Sequence, residues 1–182
     1  MSGGAPARRV ALLRAVNVGG RKVAMAELRA AVAAAGFRDV ATLIASGNLL
    51  YAPQVSAREE EADLERVIAQ VFGIAVPVVV RAGEDWPDYL ARCPMPDAAR
   101  ERPNRFLLFL SKLPPRSDAA EQLAAKAAPS ETVVLVGDAL WIDFADGGGR
   151  SKLTPSAIDR AMGSPATGRN HNTVVRLGEL AR

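Results

Sequence analysis

At 182 residues, 49% hydrophobic and 24% charged, the chain has an ordinary globular balance and enough length to bury a core without disulfides. Its net charge of +3 comes from 23 basic against 20 acidic residues, which permits contact with phosphates but is too thin for the basic stripe of a nucleic-acid binder. No apolar run nears the roughly 18 residues of a membrane span. The lone Cys93 excludes an internal disulfide, and no Cys/His spacing suits a metal. The first eight residues lack the apolar stretch of a signal peptide and read as a frayed start, so the expected compartment is the cytoplasm.

Val10-Ala-Leu-Leu13 is a continuous apolar run and predicts a strand buried on both faces. The loop Asn17-Val-Gly-Gly-Arg-Lys22 follows it. Met25, Leu28, Val32 and Ala35 recur at helical spacing, and Gly36 stands where a helix C-cap belongs. Residues 40–44 and 49–51 predict two strands joined across the turn tripeptide Ser46-Gly47-Asn48. Ser56 and Glu59 form an S-x-x-E capping box for a helix that buries Leu64, Val67, Ile68, Val71 and Phe72, with Gly73 past its end. Residues 76–80 close the set, and Pro77, which cannot donate to a ladder, marks an edge strand.

This order is βαββαβ, the ferredoxin-like pattern, in which the fourth strand lies at an edge and the first inside. Residues 84–104 read as a connector with a short helix near Trp86 to Arg92 and a Pro-rich stretch. Phe106-Leu-Leu-Phe-Leu110 opens a second cycle. Ser117 or Asp118 caps a helix to about Ala127, and residues 132–136 and 140–144 are strands flanking the Gly137-Asp138 hairpin signal. Thr154-Pro155 opens a helix to about Met162. No final strand is legible; residues 174–180 read as a short helix capped by Asn172 or Thr173. The expected fold is α+β, with two tandem ferredoxin-like (α/β-plait) halves at 1–83 and 105–182. The second is a βαββα unit with a modified C-terminal end.

The Asn17-to-Lys22 loop has two readings. One is a tight turn. The other is an anion site: paired glycines let backbone approach a ligand, a helix N-terminus follows, and Arg21 and Lys22 stand beside it. Its spacing is not that of a nucleotide P-loop, so ATP is not implied. In a split βαβ unit strands one and two run parallel, which brings this loop and the Ser46-Gly47-Asn48 turn to one end of the sheet. The plainer alternative there is that Asn17 and Asn48 only satisfy each other's backbones. Asp146-Gly-Gly-Gly-Arg-Ser-Lys152 reads as a disordered surface loop or as a lid over an anion. Thr167-Gly-Arg-Asn-His-Asn-Thr173 offers the Arg169 fork for phosphate or carboxylate, or else caps the last helix. His171 has no nucleophile or paired acid at motif spacing, and Cys93 reads as an ordinary thiol.

The segments Leu12-Leu-Arg-Ala-Val-Asn-Val-Gly-Gly20, Met25-Ala-Glu-Leu28, Gly36-Phe37, Ser46-Gly-Asn48 and Thr167-Gly-Arg-Asn170 with Thr173 occur in this order. Together they resemble a bacterial family described as a domain of unknown function, DUF1697, over nearly the whole chain. The resemblance implies two ferredoxin-like domains and no established activity, cofactor or substrate. Ala15-Val16 stands where similar proteins read Gly-Ile, and His171 stands where an aromatic such as Trp is expected. The second departure weakens a general-base role.

The expected function is binding of a small anionic, phosphate-bearing ligand, with no cofactor and no metal. Its site would draw on Asn17, Gly19, Gly20, Lys22, Ser46, Gly47, Asn48, Arg169, Asn170 and Thr173. One alternative is an enzyme using His171, Asp143, Asp146 or Lys152. Another is a nucleic-acid binder, poorly equipped because Tyr51 is the only ring on strands one and three of the first half. A third is an assembly protein that pairs through its sheet edges.

Overall fold

The computed structural model describes residues 7–20 and 22–182. The expected frayed start through residue 6 and the basic residue Arg21 lie outside the described residues. The chain divides into two compact units, one running to Pro87 and taking in Leu177–Arg182, the other Asp88–Arg176. No described helix is long and apolar enough to cross a membrane.

The first unit contains β1 (Arg9–Leu13), α1 (Met25–Ala34), β2 (Arg38–Leu43), β3 (Asn48–Ala52), α2 (Ala57–Phe72) and β4 (Val78–Ala82). The sheet order is β2-β3-β1-β4, antiparallel throughout, so β1 is internal and β4 is an edge, as the apolar run and Pro77 require. Ala11, Leu13, Leu49, Tyr51, Val78 and Val80 pack with Leu28 and Val32 of α1 and with Leu64, Val67 and Ile68 of α2. The capping box is present in full: Ser56 Oγ accepts from the Glu59 amide, and the Glu59 carboxylate accepts from the Ser56 amide. Gly73 ends α2 in the left-handed region at φ 65°. By contrast, α1 starts at Ala24 with no side-chain cap. Burial of Leu28 and Val32, each worth about 1.5–3 kcal/mol, holds it in place.

Polar side chains of α2 complete this unit. Fully buried Glu60 accepts from Arg9 Nε at 3.2 Å, Tyr51 Oη at 3.1 Å, and the amides of Gln54 at 2.9 Å and Val55 at 3.2 Å. Burial, then the Glu60 charge, raises the Tyr51 hydroxyl above the usual phenol range. Further along the same helix, Glu61 and Glu65 accept from the amides of Val80 and Val78, both at 2.9 Å. Carboxylates from α2 thus bond outward amides of the β4 edge.

The second unit begins inside α3 (Trp86–Ala91) and continues through α4 (Pro96–Glu101), β5 (Phe106–Ser111), α5 (Ala119–Ala124), β6 (Glu131–Val136), β7 (Ala139–Phe144), α6 (Pro155–Met162), β8 (Ala166–Asn170) and into α7 (His171–Leu180). Its sheet order is β6-β7-β5-β8, again antiparallel. Leu140, Ile142 and Phe144 pack with Leu123, Ile158 and Met162 in its core. Thr154 caps α6 through the Ala157 amide, with Pro155 at N1.

Four expectations for this half need correction. A final strand exists: β8 pairs along β5, so the unit is βαββαβ and the modified end is the added helix α7. The α7 cap is Asn170, whose Oδ1 accepts from the Thr173 amide at 2.9 Å, rather than Asn172 or Thr173. The α5 helix stops at Ala124, and Asp118 at its start bonds Gln122 and Arg116 side chains instead of helix amides. The glycine-rich segment is no disordered loop, since Gly148–Arg150 forms a 3₁₀ turn closed by the Ser151 amide on Gly148 O. Beside that turn lies an open depression lined by Glu131, Asp146 and Arg150. Its mixed charge gives an anion little preference.

Candidate functional site

The end of the first sheet where β1 terminates gathers three segments. The Leu13 amide donates to Gly47 O at 2.8 Å, and the Arg14 amide donates to Pro77 O at 3.0 Å. The loop after β1, the β2–β3 turn and the entry to β4 therefore meet. Closing this junction bends the backbone into the left-handed region repeatedly: at Ala15 (φ 54°), Asn17 (57°), Gly19 (60°) and Gly20 (89°) on one segment, and at Ile44 (50°) and Gly47 (81°) on the other. Ala15 and Ile44 are the unusual members, because a side chain there costs about 1–2 kcal/mol relative to the right-handed region.

Within this junction the expected site residues separate into two groups. The first group holds the loops. Asn17 Oδ1 accepts from the Val23 amide at 2.8 Å, while its Nδ2 donates to Val23 O at 3.0 Å and across to Ala45 O at 2.6 Å. Buried Asn48 donates to Leu43 O at 2.8 Å and Ser46 Oγ at 3.0 Å. Gly47 packs so closely behind them that a Cβ there would run into Val16 Cγ2. The mutual backbone bonding foreseen for the pair holds for Asn17, which reaches Ala45 O on the other segment, whereas Asn48 bonds Leu43 O and Ser46 Oγ of its own turn. The second group faces outward: Gly19, Gly20 and Lys22 are exposed, and no atom lies within 4 Å of a Cβ position on either glycine. Val18 and Ile44, one on each of the two converging segments, are also exposed, at 58% and 54%. Nothing in the residue types of Val18 or Ile44 marks them for a site; only their exposure and the positive φ of Ile44 do.

Arg169, Asn170 and Thr173 lie in the second unit. Arg169 is on β8 and buried, its Nη1 donating at 2.8 Å to both Thr167 Oγ1 and Gly168 O, and burial lowers its pKa to about 10. Asn170 and Thr173 are tied together as the α7 cap. The enzyme candidates are partly engaged as well. Asp143 is held by Arg102, whose Nε lies 3.0 Å from both carboxylate oxygens and whose Nη2 lies 2.5 Å from Oδ2. Tyr51 is fully buried, edge-on to Phe37 at 5.0 Å, and its ring offers no face for base stacking. Among the described residues no three His, Cys, Asp or Glu side chains group as a metal site would need.

His171, the only histidine, lies against Phe106 with ring centroids 5.8 Å apart. Partial burial lowers its pKa below 6.5. The neutral ring is therefore favoured in the folded chain, so its stabilising contribution is full above about pH 6.5. It declines as pH falls through the unfolded and then the folded value. The single imidazole resonance in a proton NMR titration is expected to show a midpoint below 6.5 in the native protein and near 6.5 in urea. A native midpoint at or above the unfolded one would contradict the burial of the ring.

The fold is shared with a solved structure, the conserved bacterial protein SP0830 from Streptococcus pneumoniae. It matches with a TM-score of 0.74 at 22% identity over 97% of this chain and 99% of that one. No functionally curated protein matches the chain. The family model described as "Protein of unknown function (DUF1697)" matches residues 7–141, a span that includes both converging loops of the first unit and ends before β8. The chain belongs to that family.

Proposed function

We propose that the protein binds a small anionic, phosphate-bearing ligand at the end of the first sheet, over the Gly19-Gly20 tip. The observation that carries this reading is the run of left-handed residues at 15, 17, 19 and 20. Backbone that alternates between the left-handed and other regions turns successive amides toward a common concavity, the arrangement that cradles phosphate in many unrelated loops. Exposed Lys22 adds charge beside it, and the open glycines let an anion approach the main chain.

The energetics of Ile44 favour the same reading. A β-branched residue held at φ 50° on the surface is strained by about 1–3 kcal/mol, and glycine or asparagine would sit there more cheaply. Strain kept at an exposed position is accounted for if the side chain contacts the ligand. Asn17, Ser46, Gly47 and Asn48 then act as positioning residues that keep the two loops in register. This reading keeps to the first unit, where Arg169, Asn170 and Thr173 do not lie.

A thermal-shift series with inorganic phosphate, pyrophosphate and sugar phosphates tests it. A true ligand at a hundredfold excess over Kd stabilises by about 2.7 kcal/mol. The shift is expected to shrink in Lys22→Ala and to vanish in Gly19→Asp, which brings a carboxylate into the concavity. No shift with any of these anions, or the same shift in both variants, would refute the proposal.

A further inference from the structure

We propose that β6 is the strand through which two copies of this chain pair, edge to edge, into one continuous antiparallel sheet. This is independent of the anion site, which lies in the other unit.

Among the described residues the two sheets leave four edges, and three of them carry a block. On β4, Glu65 and Glu61 occupy the amides of Val78 and Val80. On β2, the register breaks between Arg38 and Ala41, Asp39 turns to φ 54°, and the Arg8 guanidinium bonds Asp39 O. On β8, Asp159 Oδ1 accepts from the Ala166 amide at 2.9 Å. The fourth edge is β6. It runs six residues in unbroken register from Glu131↔Phe144 to Val136↔Ala139. Its sequence, Glu-Thr-Val-Val-Leu-Val, has no proline, lysine or arginine and is rich in β-branched residues, the composition of a strand that accepts another.

Hairpin geometry identifies the groups on offer. Gly137-Asp138 is a two-residue turn with Gly137 at φ 63°, so Val136 and Ala139 form its closing hydrogen-bonded pair. Alternation then directs Thr132, Val134 and Val136 to β7 and turns the amides and carbonyls of Val133 and Leu135 outward. The Glu131 amide, also on the outward side, is taken by Ala128 O at 2.9 Å.

A second copy fits these groups. A two-fold axis normal to the sheet keeps each face on its own side, so residues of like parity must pair. The register centred on Val134 sets Val133 against Leu135 of the other copy, which satisfies all four outward groups of each strand segment reciprocally. It also sets Thr132 against Val136. Each Glu131 then faces Gly137 of its partner, and the two carboxylates lie at opposite ends of the ladder, so no like charges are opposed.

Sedimentation equilibrium across a wide concentration range, combined with two substitutions, tests the pairing. The wild-type chain is expected to dimerise. Val134→Lys places two ammonium groups side by side at the axis and is expected to yield a monomer with unchanged circular dichroism. In a Cys93→Ser background, Val134→Cys puts two thiols on a non-hydrogen-bonded pair about 4.5 Å apart at Cα, within disulfide reach. Mild oxidation should link it into a covalent dimer, whereas Thr132→Cys, which faces Val136, should stay unlinked. A wild-type monomer at every concentration overturns the proposal. So does a dimer that persists in Val134→Lys, or a Val134→Cys chain that stays folded and fails to cross-link.

Discussion

Replacing Glu60 by alanine is expected to destabilise the protein by about 3–5 kcal/mol, the range for removing one partner of a buried ion pair. The carboxylate is fully buried and accepts from Arg9, from the Tyr51 hydroxyl and from two consecutive amides, of Gln54 and Val55. Alanine leaves the Tyr51 hydroxyl without its acceptor in the core and releases the segment that leads into α2. Since native domains are stable by only about 5–15 kcal/mol, this one change consumes a large fraction of the margin. Urea denaturation measures it directly. Tyr51→Phe removes only the hydroxyl and should cost about 1–2 kcal/mol. The double variant should fall short of the sum, because both singles remove the same bond. A loss below about 1 kcal/mol for Glu60→Ala would show that water replaces the carboxylate and that the network is not a core element.

The second large effect falls on the candidate site. Gly47→Ala is expected to cost about 3 kcal/mol, whereas Gly19→Ala, on the facing loop, should cost about 1 kcal/mol. Both glycines have positive φ, at 81° and 60°, so both substitutions strain the backbone. Only at Gly47 does the new methyl also collide, with Val16 Cγ2 and with Leu13 Cβ, the latter at 2.9 Å. Around Gly19 there is open space. Urea midpoints of the two variants separate collision from strain. Equal losses would mean that the loops do not pack against each other as described. Because Gly47 O also receives the Leu13 amide, displacing this turn should weaken the phosphate response along with stability. Gly19→Ala should leave the packing of the turn intact.

Much of the fold was legible because local chemistry and tertiary need agree. Ser56 with Glu59 starts α2 and Gly73 ends it, and both signals operate within a few residues. The apolar run at β1 and the proline before β4 located an internal and an edge strand, and from these the convergence of the two loops followed by topology alone. By contrast, β8 was not legible. Ala-Thr-Gly-Arg-Asn has neither an apolar run nor a series of strand-forming side chains, and it becomes a strand because β5 offers it a partner from Leu107 to Ser111. Its glycine serves that pairing: a methyl at Gly168 would lie 2.5 Å from the Phe109 ring.

The candidate site divides in the same way. Amino-acid type pointed to Asn17, the paired glycines, Ser46 and Asn48. It could not say that the Asn17 and Asn48 side chains are tied to backbone carbonyls while Gly19, Gly20 and Lys22 face out. Ala15 and Ile44 were invisible, since their residue types avoid the left-handed region, and only the closure of three segments at one sheet end puts them there. Nothing in the sequence marks Glu61 and Glu65, four residues apart on α2, as partners of the β4 edge amides that they bond. Arg169 read as a fork for phosphate or carboxylate or as part of the last helix's cap, and the sheet buried it. The sequence by itself determined most of the elements, their order and the end of the sheet at which to look, because capping, turn and periodicity signals act over short stretches of chain. Only the tertiary structure decided which polar groups hold the junction and which face outward, because that depends on what distant strands bring alongside each side chain.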